Sequence, residues 1–161
     1  MEMRLDISAA RWINAPMTEI TFKHQHRVTY GECTVGNHVY YARYLDMLEE
    51  ARGEFFRQQS QPLLQWQESG TVFPVIGARI DYKGPARYDD LISIELWITE
   101  MRGVRLSIGF RITQAEGGVL AEGETRHVCA TVHEKPQRLP KELLERFQPF
   151  VRVPVEAAST T

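Results

Sequence analysis

Between Met17 and Thr34 polar and apolar residues alternate. Ile20, Phe22, His24, His26, Val28 and Tyr30 fall on every second position, the period of a half-buried strand. Val35-Gly36-Asn37-His38 then breaks the pattern with turn chemistry. From Val39 the period lengthens. Tyr41, Tyr44, Leu45, Leu48, Arg52, Phe55 and Phe56 recur at helical spacing, with Glu49, Glu50, Glu54 and Arg57 between them. This predicts one long amphipathic helix starting near Val39–Tyr41 and ending near Ser60, ahead of Pro62. Gly53 inside it costs about 1 kcal/mol relative to Ala, which a close approach of another backbone would explain.

A short helical piece, Leu63 to Glu68, leads to Gly70. Four β patterns follow, rich in β-branched and aromatic residues: Val72–Tyr82, Leu91–Met101, Val104–Gln114 and Val119–Val132. Lys83-Gly84-Pro85, Arg102-Gly103 and Glu116-Gly117-Gly118 separate them. The last two junctions are short, so their neighbours should pair antiparallel. Ile92, Ile94, Leu96 and Ile98 should share one sheet face. Lys141 to Phe147 has the pattern of a short C-terminal helix. One strand, one helix, then four strands in meander-like succession imply an α+β fold in which a curved antiparallel sheet of about five strands wraps the helix.

The chain has 161 residues, 43% hydrophobic and 25% charged, which suits one domain with a substantial core. Residues 1–161 read as that single domain, with a core of about 17–140 and peripheral ends at 1–16 and 151–161. The formal net charge of -2 gives no electrostatic footprint for nucleic acid or an anionic membrane. Two distant cysteines, Cys33 and Cys129, form neither a disulfide framework nor a metal cluster and read as buried thiols. No secretory signal and no run of about 18 apolar residues is present, so a cytoplasmic location is expected.

The stretch YGECTVGNHVYYARYLDMLEEARGEFF resembles the 4-hydroxybenzoyl-CoA thioesterase-like branch of the hotdog superfamily. Tyr30, Glu32, His38, Val39, Tyr44, Leu45, Glu49, Ala51 and Arg52 carry the resemblance. Tyr82-Lys83-Gly84-Pro85-Ala86 with Asp89-Asp90-Leu91 is similar to the family's Pro-Ala, Gly-Asp hairpin, and Arg138-Leu139-Pro140 to its closing signature. The resemblance implies a hotdog fold and hydrolysis of an acyl-CoA or acyl-carrier-protein thioester without a metal or redox cofactor. It also implies a homodimer or homotetramer in which adjacent protomers build each active site.

In that family a carboxylate precedes the turn into the helix, and N–H groups at the helix start hold the thioester carbonyl. The resemblance places the N–H donor at Tyr41. It places Thr34 where the working Asp is usual, and a threonine needs a base to activate it. Glu32 stands two residues upstream, on the same face if the strand continues. Glu49 on the helix is a second candidate acid, though such a residue is more often a buried structural carboxylate, here paired with Arg52 one turn away. His38 suits polarising the carbonyl or simply filling the turn. Tyr30 and Asn37 are candidate pocket residues, and Lys83, Arg87 and Arg138 candidate cations for the CoA arm. His24 and His26 read as ordinary strand positions, and Trp66, Phe73 and Trp97 first as core or interface residues and second as acyl-pocket lining.

Two functions compete: an acyl-CoA thioesterase, and a non-catalytic hotdog protein that binds an acyl-CoA or acyl carrier protein. Loss of the usual Asp at Thr34 favours the second. Glu49, His38 and the intact turn-helix frame favour the first. A hotdog dehydratase ranks last, because His38 with Glu49 does not match its acid–base pair.

Overall fold

The computed structural model describes residues 20–152. The expectations for 1–16, for the first strand's start at Met17–Glu19 and for a frayed end at 157–161 lie outside the described residues. Strand β1 (Phe22–Arg27) is followed by a 3₁₀ turn at Tyr30–Glu32, a two-residue ladder of β2 (Cys33–Thr34) with β3 (His38–Val39), and helix α1 (Arg43–Gln59). Then come α2 (Leu63–Glu68), β4 (Thr71–Val72), β5 (Val75–Tyr82), β6 (Leu91–Arg102), β7 (Arg105–Gln114), β8 (Val119–Val128), β9 (Ala130–Thr131) and α3 (Lys141–Phe147).

Five strands form one antiparallel sheet in the order β1-β6-β7-β8-β5. The two hairpins predicted from Arg102-Gly103 and Glu116-Gly117-Gly118 are present. The simple meander is not, because β5 pairs with β8 at the far edge instead of with β6. Residues 83–90 are therefore a crossover and not the hairpin suggested by the family resemblance. The crossover leaves β5 with Lys83 N–H and Gly84 N–H donating to Leu120 C=O of β8 and reaches the opposite edge, where Val28 N–H donates to Asp90 C=O. On the way Ala86 C=O accepts Val39 N–H. Ala86 N–H donates to the Tyr44 hydroxyl. This strap closes the sheet over the start of α1.

Ile92, Ile94, Leu96 and Ile98 of β6 and Leu106, Ile108, Phe110 and Ile112 of β7 are all buried. Against them α1 buries Tyr44, Met47, Leu48, Ala51, Phe55 and Phe56. Ala51 lets the helix approach closely, while Phe55 stacks on Phe147 of α3 with ring centroids 4.5 Å apart. Each such aromatic or branched side chain contributes about 1.5–3 kcal/mol by leaving water. Trp66, Phe73 and Trp97 are buried, as their sequence setting indicated. Cys129 is a buried free thiol; Cys33 is only half-buried.

Four local expectations fail for identifiable reasons. The first strand stops at Arg27, because Thr29 and Glu32 close a capping box around the 3₁₀ turn. Helix α1 begins at Arg43, two residues past Tyr41, since Val39 and Tyr40 are held by the crossover and by Glu32. The buried stripe of α1 is also rotated from the predicted one: Tyr41 and Leu45 are exposed. Open space faces Gly53 in this chain, so no backbone approaches there. Tyr41, Leu45, Glu49 and Gly53, four residues apart, instead form one outward stripe.

Candidate active site

The turn between β2 and β3 is fixed by its own backbone. Asn37 N–H donates to Thr34 C=O, with Gly36 at φ 92° and Asn37 at φ 58°. Both angles are left-handed, a region open to Gly and tolerated by Asn. The crossover grips the turn from outside: Tyr88 N–H donates to Asn37 Oδ1 at 3.0 Å and Arg87 Nη1 to Asn37 C=O at 3.3 Å. An open cleft of about 550 Å³ lies against this turn, lined by Tyr30, Tyr88, Cys33, Thr34 and Val35–Asn37. Tyr30 and Tyr88 meet edge to face across its rim, with centroids 6.0 Å apart.

Beside the cleft the chain enters α1. Val39 N–H and Tyr40 N–H are committed to Ala86 C=O and Glu32 C=O, and Tyr41 C=O accepts the Tyr82 hydroxyl at 2.8 Å. The N–H of Tyr41 has no backbone acceptor among the described residues. It sits at the positive end of a 17-residue helix, where an unspent donor favours developing negative charge. The N–H nominated by the family resemblance is thus unspent on backbone.

The three oxygen-bearing candidates differ sharply. Thr34 Oγ1 is exposed and donates to nearby backbone carbonyls, Val35 or His38, at 3.3 Å; no carboxylate stands beside it to take its proton. Glu32 is not on a strand face with Thr34, as expected, but inside the 3₁₀ turn. Its carboxylate accepts Thr29 N–H at 2.6 Å and Thr29 Oγ1–H at 2.9 Å, and pairs with His26. Partial burial pushes the Glu32 pKa up, but the Thr29 and His26 interactions outweigh it and hold the pKa below the usual value. That describes an anchored anion. The Thr29-x-x-Glu32 spacing is the capping-box signature and was legible in the sequence.

Glu49 is the accessible carboxylate, with 55% of its side chain exposed. Arg52 grips it with two bonds, Nε at 3.1 Å and Nη2 at 2.5 Å. Arg52 is itself nearly buried and donates Nη1–H to Phe73 C=O and to His127 Nδ1. His127 completes the chain by donating Nε2–H to Thr125 Oγ1 at 2.9 Å. Burial, with the Arg52 charge beside it, lowers its pKa to about 3. A lone strand histidine carries no sequence signal for this role. The pairing of Glu49 with Arg52 matches the structural alternative raised from the sequence, though not as a buried pair. Eight residues separate Glu49 from Tyr41, about 12 Å along the helix axis.

Among the proposed cations, Lys83 pairs with Glu122 at 3.7 Å, and Arg87 lies at the turn. Arg138 belongs to the other end of the sheet, where Leu139 N–H donates to Gly103 C=O. Within one chain it does not join Lys83 and Arg87. His38 is exposed on β3. Buried Tyr44 has a raised pKa, chiefly from burial, and so holds its proton. Among the described residues no group of three or more His, Cys, Asp or Glu is placed to hold a metal.

A family model described as the thioesterase-like superfamily matches residues 28–147, most of the chain. The chain belongs to this superfamily. Like its relatives, it is matched over nearly their whole length. It is 34% identical over 133 residues to the acyl-CoA thioester hydrolase YbgC of Escherichia coli O6:H1, covering 82% of this chain and 99% of that protein. It is 31% identical over 121 residues to the long-chain acyl-CoA thioesterase FadM of Escherichia coli K12, covering 73% and 90%. Among solved structures, the 1,4-dihydroxy-2-naphthoyl-CoA thioesterase Slr0204 from Synechocystis superposes with a TM-score of 0.74 at 26% identity, covering 80% of this chain and 96% of that one. The superfamily's hotdog sheet and central helix are those described above.

Proposed function

We propose that this chain hydrolyses acyl-CoA thioesters, releasing a free acid and CoA thiol. The observation that carries this reading is the unspent Tyr41 N–H at the head of α1, just past the turn that lines the cleft. Water attacks the carbonyl carbon while giving up a proton to a carboxylate, which later returns it to solvent; the oxygen takes up negative charge against that N–H, and the C–S bond breaks as the tetrahedral intermediate collapses. The thiolate then takes a proton from solvent.

A carboxylate must still orient the water. Glu49 is the accessible one, but lies about 12 Å from Tyr41 within one chain. A second copy removes that gap. Strand β5 leaves one side of its backbone unpaired and exposes Val75, Ile76 and Tyr82, and the outward stripe of α1 stands beside open space at Gly53. In a two-fold pairing with antiparallel helices about this stripe, Glu49 of one copy faces Leu45 of the other, about 6 Å along the axis from Tyr41. We therefore assign the active unit to a homodimer, or a tetramer built from it, acting on CoA or carrier-protein thioesters in the cytoplasm. No helix among the described residues is long and apolar enough to cross a membrane.

The competing reading, a binder without catalysis, draws support from Thr34, whose hydroxyl is spent on backbone carbonyls. The test is thiol release from acetyl-, decanoyl-, palmitoyl- and benzoyl-CoA. Release with any of them, lost in a Glu49→Gln variant that keeps its melting temperature, supports hydrolysis through Glu49. A rise in melting temperature with no thiol release supports the binder.

A further inference from the structure

His24 and His26, neighbours on one face of β1, are not ordinary strand residues. Glu50, on α1, receives one on each oxygen: His24 Nε2 lies 2.9 Å from Oε1 and His26 Nδ1 3.0 Å from Oε2. The other nitrogen of His26 lies 2.9 Å from Glu32 Oε1. Its side chain is only 13% exposed. The ring thus has a carboxylate oxygen within hydrogen-bond distance at each of its two nitrogens.

What this ring joins gives it significance. Glu32 does three things at once. Its carboxylate caps the 3₁₀ turn, its carbonyl accepts Tyr40 N–H at 2.8 Å, and the next two residues are the strand that bears Thr34. Glu50 belongs to the second turn of the helix whose first free donor is Tyr41 N–H. The ring therefore spans the two pieces of backbone that must keep register at the candidate site: the turn that lines the cleft and the helix that supplies the donor. Without it, the turn is tied to α1 through the short ladder and single backbone bonds.

We infer that His26 is a positioning residue, a two-sided clamp between Glu32 and Glu50 that sets the Tyr41 N–H against the Thr34–Asn37 turn. The inference rests on the hydrolytic reading for its kinetic consequence, but not for its structural one. His26 touches no substrate in this arrangement; it acts through Glu32 and the carbonyl that holds Tyr40.

The experiment uses the full chain with His26→Phe, which keeps the ring's bulk without its donors. Glu50→Gln, a half-exposed position, cuts one side of the clamp at little risk to folding. Backbone amide hydrogen exchange is followed residue by residue in the free protein, and kcat and KM are measured with decanoyl-CoA and benzoyl-CoA. The clamp predicts at least tenfold faster exchange at Tyr40 in His26→Phe, a smaller rise in Glu50→Gln, and unchanged exchange at Ile108 in the sheet centre. It also predicts a kcat at least tenfold lower with KM within twofold. Unchanged exchange at Tyr40 in both variants overturns the inference. So does a uniform rise that includes Ile108, which would mark general loss of stability. If the parent protein hydrolyses neither thioester, the hydrolytic reading fails for these substrates, and the exchange data alone decide the clamp.

Discussion

Arg52 donates Nη1–H across 3.1 Å to Nδ1 of His127, an imidazole only 1% exposed. This fixes His127 as the tautomer with hydrogen on Nε2 and forbids it a second proton while Arg52 stays in place. The same arginine presents Glu49 to solvent, so a buried neutral ring and an exposed carboxylate are mechanically linked.

An acid-sensitive stability follows. The folded His127 pKa of about 3 lies below the ordinary 6.5, so the unfolded chain binds a proton that the folded chain refuses. Stability is full above about pH 6.5 and declines as pH falls toward 3, at up to about 1.4 kcal/mol per pH unit. Glu32, whose folded pKa is also lowered, adds a loss in the same direction within the carboxylate range. Urea unfolding at stepped pH should show this slope, and His127→Gln should flatten its upper part; a stability independent of pH from 7 to 5 would refute it.

Removing the arginine should cost far more than removing its exposed partner. Arg52→Leu strands Phe73 C=O and His127 Nδ1 without their donor, a penalty of about 2–4 kcal/mol. Glu49→Gln breaks an ion pair at a carboxylate 55% exposed, and should change stability by less than about 1 kcal/mol. Its kcat for a hydrolysed acyl-CoA should nonetheless drop by about a hundredfold or more. Chemical denaturation and steady-state kinetics on the same preparations check both halves.

Gly123 is where β8 accepts β5. A Cβ there would sit 1.9 Å from Arg79 C=O and 2.9 Å from Phe110 Cζ, so the strand or the ring must move. Gly123→Ala should destabilise by about 2–3 kcal/mol. Because the displaced strand is the open edge assigned to self-association, sedimentation should also show a weaker dimer. A variant as stable and as associated as the parent would contradict this.

Asn37 holds a left-handed backbone and a side-chain bond together. Asn37→Val should cost about 1–2 kcal/mol from the backbone alone, and lose the Tyr88 contact as well. Asn37→Gly loses only the contact, so it should retain more stability. Thermal melts of the two variants rank them directly.

The sequence was most legible where a local signal suffices. Leu63–Glu68 and Lys141–Phe147 stand where the periodicity placed them, and the Gly-marked hairpins pair as their short junctions require. Which strand β5 would join was not legible, since an edge strand's neighbour is chosen by the crossover and not by its own pattern. The stripe of α1 was misjudged at Tyr41 and Leu45 because their apolarity serves an outward face. At the candidate site, the family pattern pointed to Thr34 and the Tyr41 N–H, which stand on β2 and just before α1. The Glu32 capping box is legible in the Thr29-x-x-Glu32 spacing. His26 and His127 were beyond reach, because their roles depend on partners 24 and 75 residues away.

The strand order carries a consequence for time as well as for shape. β6, β7 and β8 join through short loops, whereas β1 meets β6 only across some 70 residues of chain, and β5 meets β8 across about 40. Closing long loops slows folding, so the central three strands should assemble first and the two rims last. The turn, the crossover and the head of α1 all hang from those rims. On refolding from urea, sheet signal should therefore recover before thiol-releasing activity, leaving a short-lived species with a finished centre and no working site.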